Sequence, residues 1–284
     1  MRGKEQSKRI WKVIKKTGII LLCLIVINQL IYAAIVPVIF FHAGFSQKSY
    51  ETIKTQNNTS EICIEMDGAH LYGWECGYNH ENILLYFGGD SVDSSKWLEE
   101  VFQNASKDLF SNFTLMTVDY PTFGKSEGII SENNFYCTAE MLCDYAEKKY
   151  PDAKMYAMGY SIGAAAALWL STQSVVDGII LVAPMYDGTS MYLPRGTVIH
   201  DAFENIATVR MQNDEFAVIC YLPTLVIASE TDRMTKLKDI RELCDLFPNQ
   251  PDTYIISDCA HGEYWKKCDT YNAIIDYFKK EFSE

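Results

Sequence analysis

From residue 61 to the C-terminus, short apolar runs alternate with longer segments of helical periodicity. Ile62–Met66 and His70–Cys76 flank the turn-forming pair Asp67-Gly68 and predict a β-hairpin. Six further runs have the length and the β-branched or aromatic content of buried strands: Ile83–Phe87, Phe113–Asp119, Lys154–Met158, Gly178–Ala183, Pro223–Ala228 and Thr253–Ser257. Between them the spacing predicts helices over about 94–110, 132–149, 162–172, 236–246 and 264–282. This alternation predicts an α/β fold with a mostly parallel central sheet flanked by helices. The long break over about 185–222 falls between two strands. It reads as a small cap insertion over the C-terminal edge of the sheet, where such folds place their ligands.

The N-terminal pattern is of another kind. No Lys, Arg, Asp or Glu occurs between Lys16 and Lys48, and Gly18–Phe41 is apolar except for Asn28 and Gln29. At 1.5 Å per residue this run would span roughly 36 Å as a helix, enough to cross a bilayer core of about 30 Å with some tilt. Residues 17–41 therefore read as a transmembrane anchor. The competing reading, a cleaved signal peptide, fits less well: its apolar region is typically about 7–15 residues, and no clear small-x-small cleavage site follows at the right distance. Residues 1–16 form a basic tail with a local charge of +6, expected to stay cytoplasmic and to send the rest of the chain to the outer face. Residues 42–60 lack apolar periodicity and read as a linker, so the folded domain is expected over 61–284.

Composition narrows the chemistry. Of 284 residues 48% are apolar, enough for one sizeable core, and the net charge is -12, leaving -18 outside the basic tail. An acidic body of this kind repels nucleic-acid phosphates, so DNA and RNA are set aside as partners. Eight cysteines lie outside the anchor with neither C-x-x-C nor zinc-like Cys/His spacing, so no metal is expected; mostly buried thiols or disulfides of an exported domain both fit. Asn58, Asn104 and Asn112 head sequons that would matter only in a eukaryotic secretory route. No repeat or low-complexity tract is visible.

The most informative segment is Met155–Ala167, which contains Gly159-Tyr160-Ser161-Ile162-Gly163 between a predicted strand and an alanine-rich helix. Gly-x-Ser-x-Gly at that junction is a nucleophile elbow: a sharp turn exposes the serine hydroxyl at the sheet edge, and a Cβ at either glycine would crowd it. A serine needs a base, and the base an orienting acid. Of five histidines, His42 borders the anchor, His70 and His80 precede the serine, and His200 lies in the cap. His261, directly after the last strand, is the candidate base; the competing reading is a surface-loop histidine. Asp232, in the loop after the strand Thr224–Ala228, is the candidate acid, with Glu230 and Asp187 as competitors. Backbone N–H groups of Ile162 and of Gly89, in Gly88-Gly89-Asp90 after a strand, are the candidate oxyanion donors. Tyr160, Tyr186 and Tyr192 are candidate substrate contacts. Together with Met191, Phe203, Met211 and Phe216 the cap tyrosines suit an acyl chain or simply close the core.

These residues resemble the α/β-hydrolase superfamily, and within it the membrane-anchored α/β-hydrolase-domain proteins and monoacylglycerol-lipase-like or serine-aminopeptidase-like hydrolases. Val118–Gly128 resembles the family's D-Y-R-G-x-G-x-S-x-G loop, with Pro121-Thr122 in place of Arg-Gly, and Phe87 stands where the usual H-G-x-G loop has His. The resemblance implies two-step acyl transfer on an ester, thioester or amide, without a cofactor. An esterase or lipase-like enzyme acting on a small acyl or lipid substrate is the first expectation. A serine peptidase or thioesterase, and a binding protein of weak turnover, are the alternatives.

Overall fold

The computed structural model describes residues 11–24, 26, 27, 30, 43–106, 109–173, 175–190, 195, 197 and 211–281. Eight strands form one sheet: β1 (Thr59–Met66), β2 (Ala69–Gly77), β3 (Asn82–Phe87), β4 (Thr114–Val118), β5 (Lys154–Tyr160), β6 (Gly178–Val182), β7 (Thr224–Ser229) and β8 (Asp252–Ile256). Their order is β1-β2-β4-β3-β5-β6-β7-β8. The β1–β2 and β2–β4 pairs are antiparallel and all the others parallel. The hairpin turns where expected, because Asp67 and Gly68 both take the positive φ that a tight two-residue turn requires.

The helices are α1 (Gln47–Lys54), α2 (Ser94–Asn104), α3 (Glu132–Lys149), α4 (Gly163–Thr172), α5 (Asn213–Val218), α6 (Leu237–Cys244) and α7 (Cys268–Glu281). Alternation within the strands splits the core between the two faces of the sheet. Ile83, Leu85 and Phe87 join Phe135, Leu142, the Ala164–Ala167 run and Leu243 on one face. Leu84 and Tyr86 join Ile53, Trp97, Leu98, Ile274 and Phe278 on the other. With both faces covered, β3, β4, β6 and β7 are buried along their whole length, which is why they read as continuous apolar runs.

Three expectations need correction, and a fourth, left between two readings, is decided. Part of the supposed linker is folded. Ser46 caps α1 by accepting from the Ser49 N–H, Ile53 is fully buried, and the Gly124 N–H donates to the Ala43 carbonyl at 2.9 Å. The domain therefore starts near Ala43 rather than Glu61. β8 is an edge strand whose Asp252, Thr253 and Tyr254 are exposed, not a buried one. The last helix begins at Cys268, after a 3-10 segment over His261–Lys266. Of the residues assigned to the cap, Met211 is fully buried in the core, and Phe216 packs against it on α5, which lies on α4.

Residues 11–24, 26, 27 and 30 are helical, and no helix among the described residues is long and apolar enough to cross a membrane. Much of the expected anchor (25, 28, 29 and 31–41) and of the expected cap (191–194, 196 and 198–210) lies outside the described residues.

Candidate active site

The centre of the site is the turn between β5 and α4. Ser161 has φ +55°, a left-handed conformation that is uncommon for a residue with a Cβ, and its N–H donates to the Val182 carbonyl at 2.9 Å. The flanking glycines make this turn physically possible. A Cβ on Gly159 would lie 2.2 Å from the Gly163 carbonyl oxygen, and one on Gly163 would lie 2.1 Å from that of Phe87. The buried alanines that follow let α4 press against the sheet.

Ser161, Asp232 and His261 are 71 and 29 residues apart along the chain, and the fold brings all three together. His261 Nε2 lies 2.9 Å from Ser161 Oγ, and His261 Nδ1 lies 2.8 Å from Asp232 Oδ2. Asp232 has no exposed side-chain surface, and four donors besides His261 hold its carboxylate. The Met234 and Thr235 N–H groups donate to Oδ1 at 2.8 and 3.1 Å, while the Thr235 and Tyr264 hydroxyls donate to Oδ2 at 2.9 and 3.2 Å. Burial alone would raise its pKa. The hydrogen bond and charge of His261, with these donors, outweigh burial and hold the carboxyl below its ordinary value.

The competitors are otherwise engaged. Glu230 is exposed, and Asp187 accepts from the Ser190 N–H at 2.6 Å. His70 pairs with Glu127, and His80 stacks on Tyr150. His42 and His200 lie outside the described residues.

Ile162, directly after the serine, is the N-cap of α4. Gly89 faces it from the loop after β3: a Cβ there would lie 3.0 Å from the Tyr160 ring and 3.7 Å from Ser161 Cβ. Both candidate oxyanion residues thus border Ser161, one at a helix N-terminus where partial positive charge gathers. Beside Gly89, Tyr160 and Gly262 opens a cavity of about 150 Å³, walled at depth by Tyr86, Trp97 and Trp265. Tyr86 and Trp97 stack face to face, and Trp265 meets both edge-on.

Of the candidate substrate contacts, Tyr160 is on this cavity wall, its ring 5.4 Å from that of His261. The Tyr186 ring is covered by the Arg195 guanidinium, which is itself ion-paired with Glu242 on α6. Met191, Tyr192 and Phe203 lie outside the described residues. Sequence reasoning missed Thr235 and Tyr264, although the Asp-x-x-Thr spacing of a side-chain-bonded turn was there to be read. It also missed the aromatic wall, whose residues come from β3, α2 and the His261 loop.

The loop after β4 supports the site from below. Asp119 is buried and accepts from the Ser94 N–H and hydroxyl at 2.7 and 3.0 Å. Burial, helped by the nearby Asp93 charge and opposed by the Ser94 hydrogen bonds, pushes its pKa up to about 7. Gly124 crosses directly over this carboxylate, at φ +52°. Thr122, at the position where the resembled motif has glycine, keeps the left-handed conformation with φ +73° despite its β-branch.

Comparison with known proteins agrees with the geometry. A family described as the alpha/beta hydrolase fold matches residues 83–216, which include the elbow and the loops after β3 and β4. An esterase of Pyrococcus furiosus superposes with a TM-score of 0.61 at 11% identity, over 85% of this chain and 97% of that one. A serine hydrolase of Xanthomonas campestris, described as lacking a lid, gives 0.58 at 13% identity, over 79% and 95%. The thioesterase domain from the curacin biosynthetic pathway gives 0.59 at 13%, over 79% and 100%. At such identities the structures speak for the fold. Sheet order, elbow and family match together show that this chain has the α/β-hydrolase fold.

Proposed function

We propose that the protein is a serine hydrolase that cleaves an acyl ester. The observation that carries this reading is the unbroken chain from Ser161 Oγ through His261 to a buried, multiply hydrogen-bonded Asp232. A carboxylate kept charged on Nδ1 favours the tautomer in which Nε2 accepts the serine proton. Ser161 then attacks the carbonyl carbon, and the N–H groups of Ile162 and Gly89 receive the oxyanion as the tetrahedral adduct forms. Its collapse expels the alcohol, protonated by His261. A water that gives its proton to His261 attacks the acyl-enzyme, and Ser161 leaves with that proton to release the acid. The same geometry serves a thioester or an amide, so matched ester, thioester and peptide substrates separate the three.

The domain is proposed to be anchored by residues 17–41 and held on the outer face. The charge-free run and the exposed apolar side chains of Ile19, Leu21, Leu24 and Leu30 support this reading. Retention in the membrane fraction after high-salt washing, lost on deletion of 1–42, tests it.

The catalytic proposal is tested by labelling the full-length protein with a fluorophosphonate probe. Wild type is expected to label, with Ser161→Ala silent and His261→Ala at least about 10³-fold slower. Labelling that survives in Ser161→Ala would refute the assignment.

A further inference from the structure

Between the two glycines of the elbow stands Tyr160, which lines the cavity and also ties together two loops of the site. Its hydroxyl donates a hydrogen bond to the backbone carbonyl of His261, across 101 residues of sequence. Its ring stacks on the His261 imidazole, centroids 5.4 Å apart with planes 29° from parallel. The opposite edge of the same ring lies against Gly89, so closely that an added Cβ there would meet Cδ1 and Cε1 at 3.0 Å. Trp265 and Tyr264 complete its surroundings, with ring centroids 5.8 and 6.1 Å away. One side chain thus touches the loop that carries the base and the loop that carries the candidate oxyanion glycine, while its backbone leads directly into the nucleophile.

The His261 loop has reason to need such a tie. His261 sits between Ala260 and Gly262, at the first residue of a 3-10 segment rather than inside a long helix. A Cβ built on Gly262 would meet nothing within 4 Å, so side-chain packing does not hold this point of the loop. The histidine ring is fixed at its two nitrogens by Asp232 and Ser161, but its backbone carbonyl is held by the Tyr160 hydroxyl. Burial, with the Asp232 and Asp90 charges adding to it, raises the Tyr160 pKa, so the phenol keeps its proton and remains a donor.

We propose that Tyr160 is a positioning residue, which clasps the His261 loop to the elbow and sets the imidazole in register with Ser161 and Gly89. The proposal rests on the serine-hydrolase reading for its kinetic consequence but not for its structural one. Tyr160→Phe removes the hydroxyl and leaves the ring, so packing is retained.

The test uses the full-length protein and two readouts. In hydrogen exchange, Tyr160→Phe is expected to speed exchange of the amides between 259 and 264 by about tenfold, the worth of one hydrogen bond, with the rest of the sheet unchanged. In kinetics, phosphonylation of Ser161 and kcat for a soluble ester are expected to fall by about tenfold with KM unchanged, because a misaligned base affects the transition state and not ground-state binding. Tyr160→Leu, which also loses the stack, should fall further in kcat. Unchanged exchange in Tyr160→Phe would overturn the clasp whether or not the wild type labels. A rise in KM at constant kcat would overturn it in favour of a substrate contact. If the wild type fails to label while Tyr160→Phe still loosens the loop, the hydrolase reading falls and the clasp stands.

Discussion

Gly163 holds the elbow and the loop after β3 at a backbone-to-backbone distance that no other residue permits, so replacing it with alanine measures how rigidly the two are joined. The new Cβ would lie 2.1 Å from the Phe87 carbonyl oxygen and 2.6 Å from that of Gly88. Both obstacles are backbone, so no side chain can rotate out of the way. Restoring ordinary contact requires the β3 end or α4 to retreat by about 1 Å, in a core with no spare volume. Overpacking of this kind costs about 1–3 kcal/mol, offset by up to about 1 kcal/mol because alanine is the better helix former at the start of α4. The net loss should be about 1–2 kcal/mol, read from urea midpoints at constant m-value. The kinetic effect should be larger than the stability effect, because the displaced loop carries Gly89. A shift of about 1 Å at the proposed oxyanion donor predicts a loss of about 10²-fold in phosphonylation rate. Gly262→Ala is the control: a Cβ there meets nothing within 4 Å, and stability should hold within about 0.5 kcal/mol. A Gly163→Ala protein with wild-type midpoint and wild-type labelling rate would refute the claim that this contact sets the site.

Thr122→Gly should stabilise the domain by about 0.5–2 kcal/mol in urea unfolding, because a β-branched residue at φ +73° carries strain that glycine relieves; a lower midpoint would count against that account. Asp119 gives a pH signature. Its pKa is raised to about 7 in the folded state from an ordinary 3.8, so folding takes up a proton between those values, and the stability it contributes is full below about pH 4 and lost as pH rises through 7. The urea midpoint of Asp119→Asn, which keeps one acceptor for the Ser94 N–H, should therefore gain on wild type between pH 5 and pH 8. A difference that stays constant across that range would remove Asp119 as the source.

The parts of the site legible in the sequence were those encoded by short-range chemistry. Gly159, Ser161 and Gly163 announce themselves because a turn that tight excludes every larger residue at two fixed positions. His261 and Asp232 were found by position after strands, and their meeting follows once the sheet order is set. Other features depend on long-range placement and left no local signal. α1 buries Ser49 and Ile53, too few positions to produce visible periodicity. The exposure of β8 is a consequence of being last in the sheet, which its own residues do not record. Met211 and Phe216 have the composition of a lid and the location of a core, and apolar content cannot separate the two. The Tyr160–His261 contact joins loops 101 residues apart, beyond any window of sequence.

The early start of the domain changes what a tether at residues 17–41 would mean. The chain is pinned from Ala43 onward, by the Gly124 N–H, by the Gly44–Gly124 bridge and then by the Ser46 N–H bonded to Asp93 at 3.0 Å. If residues 17–41 anchor the chain as proposed, an anchor ending at residue 41 would leave little slack, and the domain would be mounted on the membrane rather than leashed to it. A flexible leash of twenty residues would let the site sweep a radius of about 25 Å. A mount fixes the height and tilt of the opening above the lipid, so reach would be set by the dimensions of the domain itself, and lengthening residues 41–43 with a glycine-serine insert would act on substrate choice without touching the chemistry.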